Sequence, residues 1–369
     1  MSLSSDLREP ATRPQARLQM IDCDVHHAMR SETDLYPYLS AKWRRHLETY
    51  GARRPVPYVH SAPYPKAAPA LSRKDAWPAN GGPPGSDLAF MQEQLLDRYD
   101  VEYGLLHLLS PSGMDQRDQD LGAAICRAIN EWQYREWTQK EPRLKAAVVV
   151  PGEDAAASVA EIEHWAGNPD FVQVSMITHS IEPLGRRRYW PIYEAAARNG
   201  FAVGLHTSGY NGHAVTPTGW ASFYAEEHQE VAISQQAVVT SLVCEGVLAR
   251  NPDLRVVIVE AGFAWAASLL WRLDRHWARM RDEVAHLTRP PSAYIGEQMW
   301  FTTQQMDEPE RAEDMRRIID WIGWDKLLFA TDYPHWDFDD PETAFKIRLS
   351  EEERRKIFRD NARAAYRLA

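Results

Sequence analysis

The chain has 369 residues, of which 44% are hydrophobic and 25% charged, with a formal net charge of −10. This balance excludes a disordered polymer and supports a sizeable core, and with no basic run longer than Arg186-Arg187-Arg188 it excludes a binder of nucleic-acid backbones. Cys23, Cys126 and Cys244 are an odd number of cysteines, far apart in sequence, so neither a disulfide framework nor a zinc ribbon is expected and a reducing, cytoplasmic setting is.

In chain order, residues 1–18 read as an N-terminal arm with charge and proline but without the apolar run of a signal peptide. No later stretch approaches about 18 uninterrupted apolar residues, so no membrane partner is expected. From 19 to 369, short apolar runs alternate with helical patterns, the sequence form of repeated βα units. Strands are expected at 19–25, 103–109, 144–150, 171–176, 201–206, 254–260, 298–302 and 326–331. Apolar residues at three and four spacing predict helices over 88–99, 121–140, 156–166, 189–199, 231–250, 265–286 and 310–322.

Eight strands of this kind predict an α/β fold, a (β/α)8 TIM barrel in one domain that exceeds the roughly 250 residues of a plain barrel. The excess is a Pro/Gly-rich insertion at 51–87 after the first strand. Its position predicts a lid, binding loop or oligomer contact over the barrel mouth. The 14 tryptophans, among them Trp265, Trp271, Trp277, Trp321, Trp324 and Trp336, read first as helix packing or a subunit contact and second as a wall for stacking substrate.

Barrel enzymes carry their chemistry at the C-terminal ends of the strands. The first expected strand ends in Asp24-Val25-His26, and side chains two apart on a strand share a side, so this pair can converge on one ion. The fifth ends at His206, the sixth at Glu260, and the eighth at Asp332 with His335 just beyond. A single such histidine is most simply structural, whereas four strand ends carrying ligands point to a metal site.

The segments IDCDVHH (21–27), YWPIYEAAARNGFAVGLHTSG (189–209), VIVEAGFAWAASLLWRLD (257–274), LLFATDYPHWD (327–337) and NARAAYRL (361–368) resemble the amidohydrolase superfamily. The resemblance is to its amidohydrolase-related branch, with metal-dependent decarboxylases and hydrolases similar to aminocarboxymuconate-semialdehyde decarboxylase. It implies metal ligands at Asp24, His26, His206 and Asp332, holding zinc first, or manganese or iron. Two positions depart from the family pattern. Many family decarboxylases carry a sixth-strand histidine as acid or base, where this chain has Glu260. Two-metal members place a bridging lysine carbamate or glutamate on the fourth strand, where this chain offers Gln173, Ser175 and His179. One ion is therefore the simpler expectation, with Glu260, His179 and His335 as additional or supporting ligands.

Among the other histidines, His27 should point away from His26, and His60, His107, His213 and His228 are read as structural or surface residues. The leading expectation is a metal-dependent hydrolase acting on a small carboxylate, amide, ester or lactone, with Asp332 as ligand and proton acceptor and Glu260 or His335 as proton shuttle. The alternatives are a non-oxidative decarboxylase, an iron enzyme activating oxygen, and a non-catalytic barrel subunit. Arg186–Arg188 or Arg272 are candidates to hold a substrate carboxylate. A homo-oligomer is expected, with a related barrel subunit as an option.

Overall fold

The structure, a computed structural model, describes residues 19–51, 69–108, 113–114, 116–178, 180–207, 216 and 218–369. The expected N-terminal arm, most of the insertion's first half, and His60, His179 and His213 lie outside the described residues. Eight strands form one parallel sheet in sequential order: β1 (Met20–Val25), β2 (Val101–Leu106), β3 (Leu144–Val149), β4 (Phe171–Ile177), β5 (Ala202–His206), β6 (Arg255–Val259), β7 (Met299–Thr302) and β8 (Leu327–Leu328). Every residue of β1, β5 and β6 is buried. That explains the nearly continuous apolar runs of β5 and β6, as expected of parallel strands covered on both faces, whereas β1 interleaves the buried Asp22 and Asp24 with apolar residues.

The eighth ladder is shorter than expected, yet the chain beyond it closes the barrel. Cys23 N–H donates to Phe329 O at 3.0 Å, Asp332 N–H to Asp24 O at 3.1 Å and His26 N–H to Tyr333 O at 2.7 Å. The buried Asp22 carboxylate reinforces this closure by accepting from Thr331 N–H at 2.9 Å and Thr331 Oγ1–H at 2.6 Å. Beyond these bonds Asp332 adopts a left-handed backbone, φ 61°, which turns the chain out of strand geometry.

Two further expectations are corrected. The helix expected at 231–250 begins at Tyr224, runs to Cys244, and is separated from Val247–Arg250 by Gly246 in the left-handed conformation. The one expected at 265–286 ends at Arg279. Helices Ala41–Tyr50, Pro291–Gln298 and Asn361–Tyr366 were not expected. Others start where sequence chemistry dictates: Asp118 and Asp154 each accept a hydrogen bond from the backbone three residues on, as N-caps do.

The last helix decides which end of the barrel is open. Its Ala362, Ala365 and Tyr366 pack against the interior cluster that includes Ile21, Leu105, Ala202, Val257 and Leu328. Arg255, at the start of β6, donates to Ala365 O at 2.7 Å and to Gly200 O. The N-terminal end of the strands is therefore sealed, leaving the C-terminal end for chemistry.

The described part of the insertion packs beside residues that follow β1 and β8. Ser72 forms an antiparallel bridge with His335, flanked by Arg73 N–H to Pro334 O at 3.0 Å and Trp336 N–H to Leu71 O at 2.7 Å. Gly85 O accepts from Ala28 N–H at 3.0 Å. Gly85 has φ 76°, and a Cβ there would sit 2.5 Å from His26 O, so only glycine permits this approach.

Replacing Thr331 by valine removes a donor from the buried Asp22 carboxylate and should lower the free energy of unfolding by about 1–3 kcal/mol. Denaturant unfolding reads this; an unchanged midpoint would show that the pair does not secure the β1–β8 closure.

Candidate metal centre

The strand ends deliver their polar residues to one buried cluster. Asp24 and His26 leave β1, His206 ends β5, Glu260 follows β6, and Asp332 and His335 follow β8. Glu260 and Asp332 both adopt left-handed backbones, with φ 55° and 61°. Such conformations are uncommon for residues other than glycine and carry a strain cost, and here they occur where two carboxylates turn into the cluster.

The hydrogen bonds fix the imidazole tautomers. His26 Nδ1 lies 3.0 Å from His107 O and His206 Nδ1 against Thr207 O. A carbonyl only accepts, so both Nδ1 atoms carry hydrogen, and each neutral ring presents an Nε2 lone pair to the centre. Those lone pairs face carboxylate oxygens. His26 Nε2 is 3.2 Å from Asp24 Oδ1 and 2.8 Å from Asp332 Oδ1. His206 Nε2 is 3.6 Å from Asp24 Oδ2 and 3.2 Å from Glu260 Oε2. Lone pair against carboxylate is repulsive unless a proton or a cation lies between them.

Burial sharpens that demand. Asp24 and Asp332 have no exposed surface, and His26 and His206 retain 5% and 1%. Both Asp24 oxygens and the Nε2 atoms of His26 and His206 have no hydrogen-bond partner. Burial pushes the Glu260 carboxyl up to about 8, against the pull of His206. Burial also disfavours charge on His206, but the adjoining Asp24 and Glu260 outweigh it and hold the imidazole up to about 9. Burial, with the charges of Glu260, Asp337 and Asp24, carries Asp332 far above the carboxylate range. Protons thus substitute for positive charge where no ion is bound.

Two groups of potential metal ligands emerge: Asp24, His26, His206 and Glu260, and the overlapping His26, Asp332 and His335. His335 Nδ1 lies 2.6 Å from Asp332 Oδ1, and burial lowers its pKa to about 4. The expected residues therefore come together, apart from His179, which is not described. The orphaned carboxylate oxygens and Nε2 lone pairs fit a divalent cation in charge and donor type.

Some contributors were read differently from sequence. His107 was placed inside a strand reaching residue 109, but β2 stops at Leu106, making His107 a strand-end residue whose ring centroid is 5.3 Å from that of His206. Gln304, just past β7, donates at 3.3 Å to both Asp332 Oδ2 and Asp337 Oδ2. Asp337 is also 3.1 Å from His228 Nε2. The strand-end criterion finds His107 once the boundary is right. It passes over Gln304, whose amide does not ionise, and His228, which a helix supplies. His27 does point away, stacked on Trp132 at 5.2 Å. The arginines expected near the mouth are engaged elsewhere, Arg186 with Glu245 and Arg188 with Glu153 and Glu182, and Arg272 is exposed on its helix.

Comparison with known proteins gives this centre a context. The amidohydrolase family profile matches residues 21–368, and the chain belongs to that family. A gamma-resorcylate decarboxylase from a Polaromonas species is 24% identical over 301 residues, 76% of this chain and 88% of that protein. An amidohydrolase from Mycobacterium avium subsp. paratuberculosis has the same fold, with a TM-score of 0.72 at 21% identity over 95% of this chain and 98% of its own. A 5-carboxyvanillate decarboxylase from Novosphingobium aromaticivorans, solved with bound manganese, gives 0.70 at 18% identity over 95% and 97%. This chain is an enzyme of the hydrolase or decarboxylase kind. The relatives' activity matches the decarboxylase alternative, not the hydrolase reading that Glu260 had put first. Manganese in the neighbour and the ligand cluster here support a divalent metal cofactor. Among the described residues, no helix is long and apolar enough to cross a membrane.

Ion entry near neutral pH should release protons, because His206 and Glu260, which face the centre, are held up to about 9 and about 8 and give up their protons as positive charge enters beside them. Ion affinity should accordingly fall as pH drops below about 8. Calorimetry of Mn2+ binding in buffers of different ionisation enthalpy measures the release, and an affinity independent of pH between about 6 and 8 would contradict it.

Proposed function

We propose that this enzyme is a metal-dependent, non-oxidative decarboxylase of a hydroxylated aromatic acid. The observation that carries the reading is the likeness to a decarboxylase across 76% of the chain. The buried Asp–His centre supports it. Asp24, His26, His206 and Asp332 are the proposed metal ligands. The manganese bound in a structural neighbour is the ground for taking manganese ahead of zinc.

When bound, the ion supplies positive charge that anchors the substrate carboxylate and an adjacent oxygen. This charge is needed, since among the described residues the ion pairs of Asp24, Glu260, Asp332 and Asp337 are all with histidines. Without that charge an anionic aromatic acid would be repelled by these carboxylates.

The proton comes from the Asp332–His335 pair. Its two partners share a hydrogen bond of 2.6 Å, Nδ1–H of His335 on Asp332 Oδ1; the ionised Asp332 would offset the burial that disfavours charge on this ring, so that the imidazolium carries a second proton on Nε2, the one available for transfer. His335 donates it to the ring carbon bearing the carboxylate. The carbon–carbon bond then breaks, its electrons restore the ring, and carbon dioxide leaves. Glu260 is not assigned this step because its Oε2 turns toward His206 Nε2, inside the ligand group. Asp332 Oδ2, held by Gln304, keeps the carboxylate oriented while His335 gives up its proton.

Gamma-resorcylate and 5-carboxyvanillate are the first compounds to assay, with the manganese-loaded enzyme. Carbon dioxide and the corresponding phenol should appear in equal amounts, and in D2O the vacated ring position should carry deuterium. Turnover of esters or lactones without carbon dioxide would overturn decarboxylation and restore hydrolysis. Replacing His335 by glutamine should lower kcat by about 100-fold or more, as expected for loss of a general acid, while substrate binding measured by calorimetry stays close to normal.

Loading Mn2+ to about 100 times its Kd should stabilise the fold by about 2.7 kcal/mol. Asp24→Asn should abolish most of that gain in a thermal-shift assay; an undiminished gain would place the ion elsewhere.

A further inference from the structure

The two ligand groups overlap at His26, but a single Nε2 cannot serve two ions, so their geometry calls for a division. Asp24 provides it. Its Oδ1 faces His26 Nε2 at 3.2 Å, and His26 Nε2 faces Asp332 Oδ1 at 2.8 Å. Its Oδ2 faces the other way, toward His206 Nε2 at 3.6 Å, and His206 Nε2 faces Glu260 Oε2 at 3.2 Å. Ligands about 2.0–2.2 Å from an ion stand roughly 3 Å apart when they occupy adjacent octahedral corners and somewhat further apart in a tetrahedron. Both chains of contacts have that spacing.

We infer that the centre holds two divalent ions bridged by the Asp24 carboxylate, one on Asp24 Oδ1, His26 and Asp332 and the other on Asp24 Oδ2, His206 and Glu260. The inference rests on the metal centre of the proposed function and adds to it a second ion and a role for Glu260 as ligand. An independent observation points the same way. Both Asp24 oxygens lack any hydrogen-bond donor although the side chain is fully buried, as suits a carboxylate that lends one oxygen to each of two cations.

Charge supports it as well. Asp24, Glu260 and Asp332 bring three carboxylates to the centre, and Asp337 adjoins them through Gln304. One divalent ion leaves that set negative, and an anionic substrate would add to the deficit. A second ion brings the site close to balance before substrate arrives. Paired ions in enzymes stand about 3.5–4 Å apart, a span that a carboxylate bridges. The fourth strand, with Gln173 in the place of a bridging carboxylate, does not prevent this, because the bridge comes from β1.

The test is metal stoichiometry with a spectroscopic readout. Protein produced in manganese-supplemented medium, and the same protein titrated with Mn2+, should contain two ions per chain by mass spectrometry and show the broadened signal of an exchange-coupled pair in electron paramagnetic resonance. Glu260→Gln should halve the content to one ion and replace the coupled signal with the six-line pattern of isolated Mn2+. Circular dichroism confirms that the variant is folded. A wild-type chain with one ion and an uncoupled signal would overturn the inference and leave the single-ion centre standing. A wild-type chain that binds no Mn2+, Zn2+ or Fe2+ would overturn both.

Discussion

Asp24 has no accessible surface and no hydrogen-bond donor on either oxygen, and Asp332 and Glu260 face the same histidines. Removing a carboxylate from water costs several kcal/mol unless positive charge accompanies it. Most features of the barrel mouth answer that cost. The imidazoles are held by backbone carbonyls so that their lone pairs point inward. Gln304 offers one amide group to two carboxylates, and Arg186 and Arg188 are occupied with glutamates outside the centre. A fold that concentrates acids in this way and withholds lysine and arginine is organised around an inorganic cation.

The sheet was readable from sequence because parallel strands buried on both faces are uninterrupted apolar runs, and all eight expected runs are strands. Helix ends were less readable. Gly246 breaks a pattern that continues through it, and residues of the closing helix such as Ala362 and Ala365 carry too weak a periodicity to announce a barrel floor. The ligand cluster was legible where an ionisable residue ended a strand, as at His206. It was obscured where a boundary was misplaced by a few residues, as at His107, or where a residue comes from a helix distant in sequence, as with His228 and Asp337.

Glu260 shows how one residue supports different chemistry according to its surroundings. Seen as a substitution for a catalytic histidine, it argues against decarboxylation. Seen in place, partly buried and 3.2 Å from the Nε2 of His206, it lies among the proposed ligands, and the reading proposed above gives the proton-carrying role to His335 and Asp332. The departure from the family pattern then concerns how charge is distributed around the substrate, and the kind of bond broken need not change with it.

The closure of the barrel by Asp22 and Thr331 joins residues 309 positions apart. Contacts of such long range delay folding, because the entropy of closing the intervening chain is lost before any compensating contact forms. During synthesis, β1 leaves the ribosome long before its partner exists, exposing Ile21, Cys23 and an unpaired edge until the last βα unit arrives. The mouth that holds the cation is assembled from the two ends of this interval. The newly made chain therefore cannot possess a complete centre until the segment around Asp332 has emerged, which links metal acquisition to a late stage of this barrel's folding and leaves the early strands exposed to aggregation in the interval.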